Sequence, residues 1–156
     1  MIKRPVYVLA LVFLFTGCSI FVKAPVQEVK GDDVVCILFN DRRLKTEVVG
    51  NLRESLSKKV YKVVTDNVKR AKYYRSSDYG AVVYMTEYWA WHTPWHAKRY
   101  HKKNNMAQNT VFVVTSGDPD VTIKEPFDAV TSVSKLNEVE RVSKEIIEKL
   151  DSILGN

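Results

Sequence analysis

A continuous apolar run at residues 34–39 places the strongest constraint on the fold of this chain. It reads Val-Val-Cys-Ile-Leu-Phe, is rich in β-branched side chains and contains no polar residue. A strand with one face in water alternates polar and apolar side chains, whereas an unbroken apolar run is typical of a strand buried on both faces. We therefore expect residues 34–39 to form a strand in the centre of a sheet.

An amphipathic helix is predicted after this strand. Apolar side chains recur every four residues as far as about Lys59, which would line one face of a helix. They are Leu44, Val48, Leu52 and Leu56. Asp41 lies just before the first of them and is the predicted N-cap, because its carboxylate can accept hydrogen bonds from free backbone N–H groups.

Five further segments have the composition of β-strands. Residues 60–64 alternate polar and apolar side chains, residues 81–92 are rich in Tyr, Val and Trp, and residues 110–115 are mostly β-branched. Residues 121–123 and 129–133 are candidates for shorter extended pieces. The middle of the chain therefore predicts a sheet of several strands.

The chain closes with its best-marked helix. Apolar residues at three- and four-residue spacing form one stripe, which is typical of a helix that covers a sheet. They are Leu136, Val139, Val142, Ile146, Leu150, Ile153 and Leu154. Asn137 followed by Glu140 has the spacing of a capping box and predicts the start of this helix.

The amino terminus has the pattern of an export signal. Lys3 and Arg4 precede an apolar run over residues 6–15, and two small residues then lead directly to Cys18. A run of this length matches the roughly 7–15 apolar residues of a signal peptide and is too short for the roughly 20 that span a bilayer. The pattern resembles the bacterial lipobox, which implies a signal peptide over residues 1–17 and a lipid on the sulfur of Cys18.

The lipobox resemblance divides the rest of the chain. It implies a lipidated tether over residues 18–31 and a single periplasmic domain over residues 32–156. Ser19, where an aspartate would signal retention, implies sorting to the outer membrane, with the domain facing the periplasm. Loss of the signal lowers the formal charge from +6 to +4. The alternative is an uncleaved anchor, since residues 20–22 prolong the apolar stretch.

The two cysteines have separate roles in this interpretation. If Cys18 carries lipid, Cys36 has no partner in the chain and a structural disulfide is not expected. Cys36 lies inside the apolar run at residues 34–39, whereas a reactive cysteine needs an electropositive, partly exposed setting. We expect Cys36 to be a small buried hydrophobic residue.

Aromatic and basic residues are concentrated between residues 73 and 103. The candidate interaction surface consists of Trp89, Trp91, Trp95, Lys98, Arg99, Lys102 and Lys103. Rings supply contact area and cations attract anions, so this surface predicts binding to an anionic lipid or to another envelope protein. The alternative is a β-hairpin that packs its aromatic side chains across strands. Nucleic acid is not an expected partner, because the predicted location is outside the cytoplasm.

The same region contains two histidines four residues apart. On a helix, His92 and His96 would share a face and could bind one metal ion, but Pro94 suits only the first turn of a helix and leaves His92 outside it. No grouping of Ser, His and Asp or of Cys and His accompanies them. We therefore predict no metal site, no catalytic residues and no enzyme activity.

Several segments resemble a group of small bacterial envelope lipoproteins of uncharacterised function. Residues 35–40, the helix after them and residues 61–64 are similar to the opening of that group. Residues 78–100 resemble its aromatic W-x-W-D hairpin, with His92 in place of the aspartate, and residues 138–154 resemble its closing helix. The resemblance implies an α+β domain.

In that α+β fold, the sheet is mainly antiparallel and two helices cover one of its faces. Residues 102–105, Lys-Lys-Asn-Asn, would be the hairpin turn between two strands. The basic stretch between Lys69 and Arg75 would be an exposed connection. The predicted gaps between several strands are short for parallel crossovers, which need a dozen or more residues.

The alternative fold is a doubly wound, flavodoxin-like α/β sheet. Residues 81–85 and 111–117 could be successive parallel strands, with a helix starting at Pro94 between them. Such a resemblance implies FMN as cofactor, with Trp89 or Trp91 stacked on the flavin. Residues 41–46 differ from a flavodoxin phosphate loop, however, since they are bulky and keep only the terminal threonine.

These observations lead to a modest functional prediction. We expect a lipid-anchored periplasmic lipoprotein with a non-enzymatic structural, assembly or accessory role in the cell envelope, without a cofactor. The alternative is an FMN-binding electron carrier attached to the envelope. Both expectations place the protein at a membrane through the lipid on Cys18.

Overall fold

A computed structural model describes residues 29–88, 94–105, 108–123 and 126–155. The predicted signal peptide, the lipid attachment site Cys18, and Trp89 and Trp91 of the candidate surface lie outside the described residues. Within the described ranges, no helix has both the length and the apolar character needed to cross a membrane.

The described chain alternates between strands and helices. The strands are β1 (Gly31–Phe39), β2 (Lys62–Asn67), β3 (Tyr79–Glu87), β4 (Thr110–Ser116) and β5 (Ala129–Val133). The α-helices are α1 (Arg43–Lys58), α2 (Trp95–Lys103) and α3 (Val139–Leu154). Short 3-10 turns at Val68–Tyr73, Ser76–Asp78 and Leu136–Glu138 complete the connections.

All five strands belong to one parallel sheet in the order β2-β1-β3-β4-β5. The predicted mainly antiparallel α+β fold is therefore wrong, and the class is α/β. The predicted hairpin is replaced by a crossover, because residues 95–103 form α2 and carry the chain back to start β4 beside β3. The predicted hairpin turn at residues 102–105 begins with the last two residues of that helix.

Helices cover both faces of the sheet rather than one. On one face, α1 and α3 pack on alternate strand residues such as Val35 and Ile37. On the other face, α2 and the turn Val68–Tyr73 pack on the intervening residues, among them Cys36 and Tyr84. This strand order and double cover are those of flavodoxin-like doubly wound sheets, so the alternative prediction describes the layout better.

The central position of β1 confirms the first expectation from sequence. The strand pairs with β2 on one side and β3 on the other, and residues 34 to 38 are all fully buried. Cys36 is a buried free thiol within it, as predicted. Burial raises the pKa of Cys36 far above that of an exposed thiol, so the group packs as a small apolar side chain.

The crossover from β2 to β3 is unusually short. It spans residues 68–78 and forms two 3-10 turns in place of an α-helix. Side-chain amides hold it in place: Asn104 Oδ1 accepts a 2.8 Å hydrogen bond from the N–H of Ser76, and Asn109 Nδ2 donates to the carbonyls of Ser76 and Tyr79, each at 2.9 Å. A turn covers less of the sheet than a helix does, so a cleft remains beside α2.

The described residues contain an apolar layer on each face of the sheet. The two clusters of buried side chains are formed by residues between Val34 and Leu150, and every strand belongs to the one sheet. A stretch with its own sheet and its own core on each face meets the physical requirement for folding by itself. We therefore use residues 29–156 as the fragment for solution experiments.

Candidate functional site

The cleft lies between the turn Val68–Tyr73 and helix α2, and its volume is about 440 Å³. Tyr84 of β3 lies at its base. The volume falls in the range of about 300–1,000 Å³ that is usual for small-molecule sites. The cleft is therefore a candidate binding site.

Helical spacing explains how α2 contributes one wall. Trp95, Arg99 and Lys103 are four residues apart and follow one line along the helix, while His96 and Tyr100 follow the neighbouring line. Pro94, at the N-cap position, has its ring outside the helix, where a missing N–H costs nothing. The helix thus presents five cations or rings to the cleft over its nine residues.

Four cations surround the cleft, two on each wall. Lys69 and Lys72 come from the turn, and Arg99 and Lys103 come from α2. The described lining includes no aspartate or glutamate, and none of the four forms an ion pair with a described carboxylate. Their charge is therefore not neutralised locally, and the cleft attracts anions.

Two contacts fix parts of this cationic set. Lys103 Nζ donates a 3.1 Å hydrogen bond to the carbonyl oxygen of Lys72, which links the two walls. Lys72 Nζ lies 4.8 Å from the centre of the Tyr73 ring, in a cation–π contact. Arg70, between Lys69 and Lys72 in the turn, pairs instead with Asp66 at 3.3 Å.

The base of the cleft is aromatic. The ring centres of Tyr84 and Tyr100 are 4.9 Å apart, and both rings contact Phe112. The side chain of Tyr100 is only 5% exposed, and its hydroxyl has no hydrogen-bond partner among the described residues. Burial raises the pKa of Tyr100 and of Tyr84, so both phenols are neutral donors at physiological pH.

The open end of the cleft is formed by Trp95 and His96. Trp95 is 69% exposed, and its ring meets the His96 ring edge-on at 6.0 Å between centres. His96 Nε2 lies 2.8 Å from the Thr86 hydroxyl. Burial, and then the positive charge of Lys45, lower the pKa of His96, so the ring is neutral at pH 7.

A second polar cluster lies at the carboxyl end of the sheet, where β1 and β3 end. Glu87 Oε1 accepts hydrogen bonds from Asn40 Nδ2 at 3.0 Å, Arg42 Nε at 3.2 Å and Lys45 Nζ at 3.4 Å. Doubly wound sheets bind ligands at this switch point of the strand order. Here, however, the carboxylate of Glu87 engages Arg42 of the loop after β1 and Lys45 of α1, which leaves a poor site for the phosphate of FMN.

Only some residues of the candidate interaction surface line the cleft. Trp95, Arg99 and Lys103 line the cleft, whereas Lys98 and Lys102 are exposed and do not line it. The predicted hairpin packing of this segment is wrong, because the residues are on a helix.

The two histidines that the structure describes do not combine into a site. His96 bonds to Thr86, His101 is buried against Phe112 and Phe127, and His92 lies outside the described residues. Among the residues that the structure describes, no three metal-ligating side chains of the His, Cys, Asp and Glu types come together.

Sequence reasoning missed half of the cleft. Residues 69–75 were expected to be an exposed connection, yet Lys69 and Lys72 form one wall. The available signal was the run of cations at Lys69, Arg70 and Lys72 without intervening carboxylates. Lys45 was also missed, although it adjoins Leu44 in the apolar stripe of α1 and is only 2% exposed.

No family model, curated protein or solved structure matches this chain. Its function is therefore argued from the site.

Proposed function

We propose that this protein is a lipid-anchored envelope protein with a non-enzymatic accessory role, and that its folded part binds an anionic partner on the face formed by α2. The lipid on Cys18 holds it at the outer membrane, facing the periplasm. The observation that carries the proposal is the set of four cations around the cleft without a described carboxylate among them.

Charge distribution supports this choice of face. Cations of α1 and α3 such as Lys58, Lys59 and Arg141 pair with neighbouring carboxylates, at 2.5 to 2.7 Å. On α2, exposed Lys98 and Lys102 add to the cations of the cleft without such pairs in the described chain. Cations that are already paired attract other anions weakly, so the α2 face dominates the attraction.

The membrane itself is the nearest anionic partner for a tethered domain. Cations near an anionic lipid surface each contribute about 1 kcal/mol of attraction, and exposed rings such as Trp95 add interfacial contact. Anionic lipid is therefore the partner that we choose to test, with another acidic envelope protein as the alternative.

Vesicle binding by the 29–156 fragment tests the surface. We expect binding to phosphatidylglycerol vesicles, little binding to phosphatidylcholine vesicles, and loss of binding as salt is raised. The double substitution Lys98→Glu and Lys102→Glu should weaken binding strongly. The double substitution Arg43→Glu and Lys135→Glu, two exposed charge reversals outside α2, is the matched control. Equal binding to both vesicle types, or equal effects of both variants, would reject the proposed surface.

The anchor is tested in the full chain. With Cys18→Ala, we expect no lipid on the protein and no cleavage of residues 1–17, because the thiol that receives the lipid is missing. Mass spectrometry of the membrane and soluble fractions gives both results. If the wild-type protein carries no lipid at Cys18, the anchor is of another kind.

One observation favours a second candidate, an FMN-binding electron carrier. The strand order β2-β1-β3-β4-β5 is that of flavodoxin-like sheets. Purified protein that is yellow, or that quenches FMN fluorescence on titration at micromolar concentrations, would establish this function. Colourless protein that leaves FMN fluorescence unchanged would exclude it.

A further inference from the structure

The cleft results from the short crossover between β2 and β3. The crossover at residues 68–78 is too short for a helix of the length of α1. Its turn leaves a cleft between the two walls, and Tyr84 and Tyr100 are among the residues that line it. The backbone of the crossover is fixed by the amides of Asn104 and Asn109. These side-chain amides hold the end of the crossover, at Ser76 and Tyr79, in place beside the cleft.

Opposite walls of the cleft carry like charges. Lys69 and Lys72 face Arg99 and Lys103 across it, and the bond from Lys103 Nζ to the carbonyl oxygen of Lys72 keeps the walls together at one point. Like charges that line one cleft repel each other, and an anion between them offsets that repulsion. A phosphate monoester carries close to two negative charges at pH 7 and several strong acceptor oxygens, so it complements four cations better than a carboxylate does.

The base of the cleft suits an apolar group of a ligand rather than a charged one. Val68, Ala71 and the Tyr84 ring offer apolar surface, which a free phosphate ion would leave empty. The Tyr100 hydroxyl is a buried donor without a partner among the described residues, and such groups are uncommon in folded proteins. A ligand that carries an acceptor oxygen next to its apolar part satisfies this hydroxyl as well.

We infer that the cleft binds a phosphate monoester attached to an apolar chain, with the phosphate between the cations of the two walls and the chain on Tyr84 and Tyr100. This inference rests on the proposed function and specifies the ligand of the same face. Two sources share the chemistry: a phosphate-bearing lipid and a soluble phosphate monoester.

Calorimetric titration of the 29–156 fragment tests the two parts of the ligand, and a comparison of phosphatidic acid vesicles with phosphatidylglycerol vesicles tests a lipid as its source. Decyl phosphate supplies both parts, glycerol 3-phosphate supplies the phosphate alone, and decyl maltoside supplies the chain alone, each below its micellar concentration. We expect decyl phosphate to bind at least about tenfold more tightly than either of the others, because only it occupies both regions. Equal affinity for glycerol 3-phosphate and decyl phosphate would overturn the role of the chain.

Two variants of the cleft test the assignment of residues. Arg99→Gln should weaken decyl phosphate binding about tenfold, since a bidentate charged donor is lost. Tyr100→Phe should weaken binding without lowering the midpoint of urea unfolding, because the hydroxyl has no described partner to lose. Lys135→Gln is the matched control for charge and should bind as the wild type does. Unchanged binding in both cleft variants would overturn the inference.

The proposed function and this inference can fail separately. If anionic vesicles bind with salt dependence but decyl phosphate does not bind, the α2 face is only a docking surface and the ligand inference is wrong. If decyl phosphate binds in the cleft but vesicles do not, the ligand inference stands and membrane docking is rejected.

Discussion

Lys45 Nζ lies 3.4 Å from Glu87 Oε1, which ties α1 to the carboxyl end of β3. The lysine side chain is 2% exposed and that of Glu87 is 22% exposed. The same amine donates a 2.6 Å hydrogen bond to Asn40 Oδ1 at the end of β1. A buried ammonium group needs such partners, because its desolvation is costly when it is left unpaired.

Removal of the Glu87 charge should destabilise the fold. For Glu87→Gln we expect the free energy of unfolding to fall by about 1–3 kcal/mol, because Lys45 and Arg42 lose their charged acceptor. Urea titration measures the change. Glu54→Gln removes an equivalent pair with Lys58, but both side chains are 70% exposed, so its effect should stay within about 0.5 kcal/mol. Equal losses in both variants would contradict the structural role of Glu87.

The buried amine also predicts a pH dependence. Burial, opposed by Glu87, lowers the pKa of Lys45 from 10.5 to about 8 in the folded state. Between these two values the unfolded chain binds more protons than the folded one, so this group makes stability rise with pH. The difference in unfolding free energy, wild type minus Lys45→Met, should therefore increase from pH 8 to pH 10.5. Urea titrations at several pH values measure it, and a constant difference would show that Lys45 has an ordinary pKa.

The pairing of β1 with β3 requires a glycine at position 80. A Cβ atom added to Gly80 would lie 2.1 Å from the carbonyl oxygen of Asp32, which is backbone and cannot move aside cheaply. Gly80→Ala should cost at least about 2 kcal/mol of unfolding free energy. Gly50→Ala is the matched control: its Cβ would meet nothing within 4 Å on helix α1, and it should stabilise by about 0.5–1 kcal/mol. Thermal unfolding followed by circular dichroism separates the two.

The Cys36 thiol should report on global unfolding. It is fully buried in the central strand, and burial raises its pKa, so the thiolate is scarce while the fold is intact. In the 29–156 fragment, which lacks Cys18, we expect thiol reagents to label it more than about a thousandfold slower than an exposed cysteine. Ser57→Cys in a Cys36→Ala background supplies that exposed reference. Fast labelling of Cys36 would reveal local opening of β1.

Local periodicity predicted most elements but not their ends. The stripes of α1 and α3 and the strand at residues 34–39 are where the patterns indicate. The predicted caps are wrong: Arg42 occupies the N-cap of α1 instead of Asp41, and α3 starts after a 3-10 turn at Leu136–Glu138 without a side-chain cap. The position of a cap depends on the path of the preceding connection, and that path is set by tertiary contacts rather than by the local sequence.

Strand direction could not be obtained from the same patterns. Residues 95–103 have a strongly polar composition and bury only Ala97, Tyr100 and His101, so their helical face is hard to distinguish from a basic turn. If residues 95–103 are taken as a turn instead of a helix, the sequence predicts that β3 and β4 form an antiparallel hairpin. This single segment makes β3 and β4 parallel, and it forms one wall of the cleft.

Because all five strands are parallel, their amino ends lie at one end of the sheet and their carboxyl ends at the other. The chain enters β1 at Gly31, and a tether from Cys18 of twelve intervening residues extends at most roughly 40 Å. Contacts of Asn104 with Ser76 and of His96 with Thr86 show that α2 runs opposite to β3. For a chain held at Cys18, the Lys103 end of the cleft is thus closer to the point of attachment, and Trp95 is farther from it. In such a chain the tether would limit how far the domain can lie from the membrane, and shortening it should restrict which orientation of the domain meets the lipid.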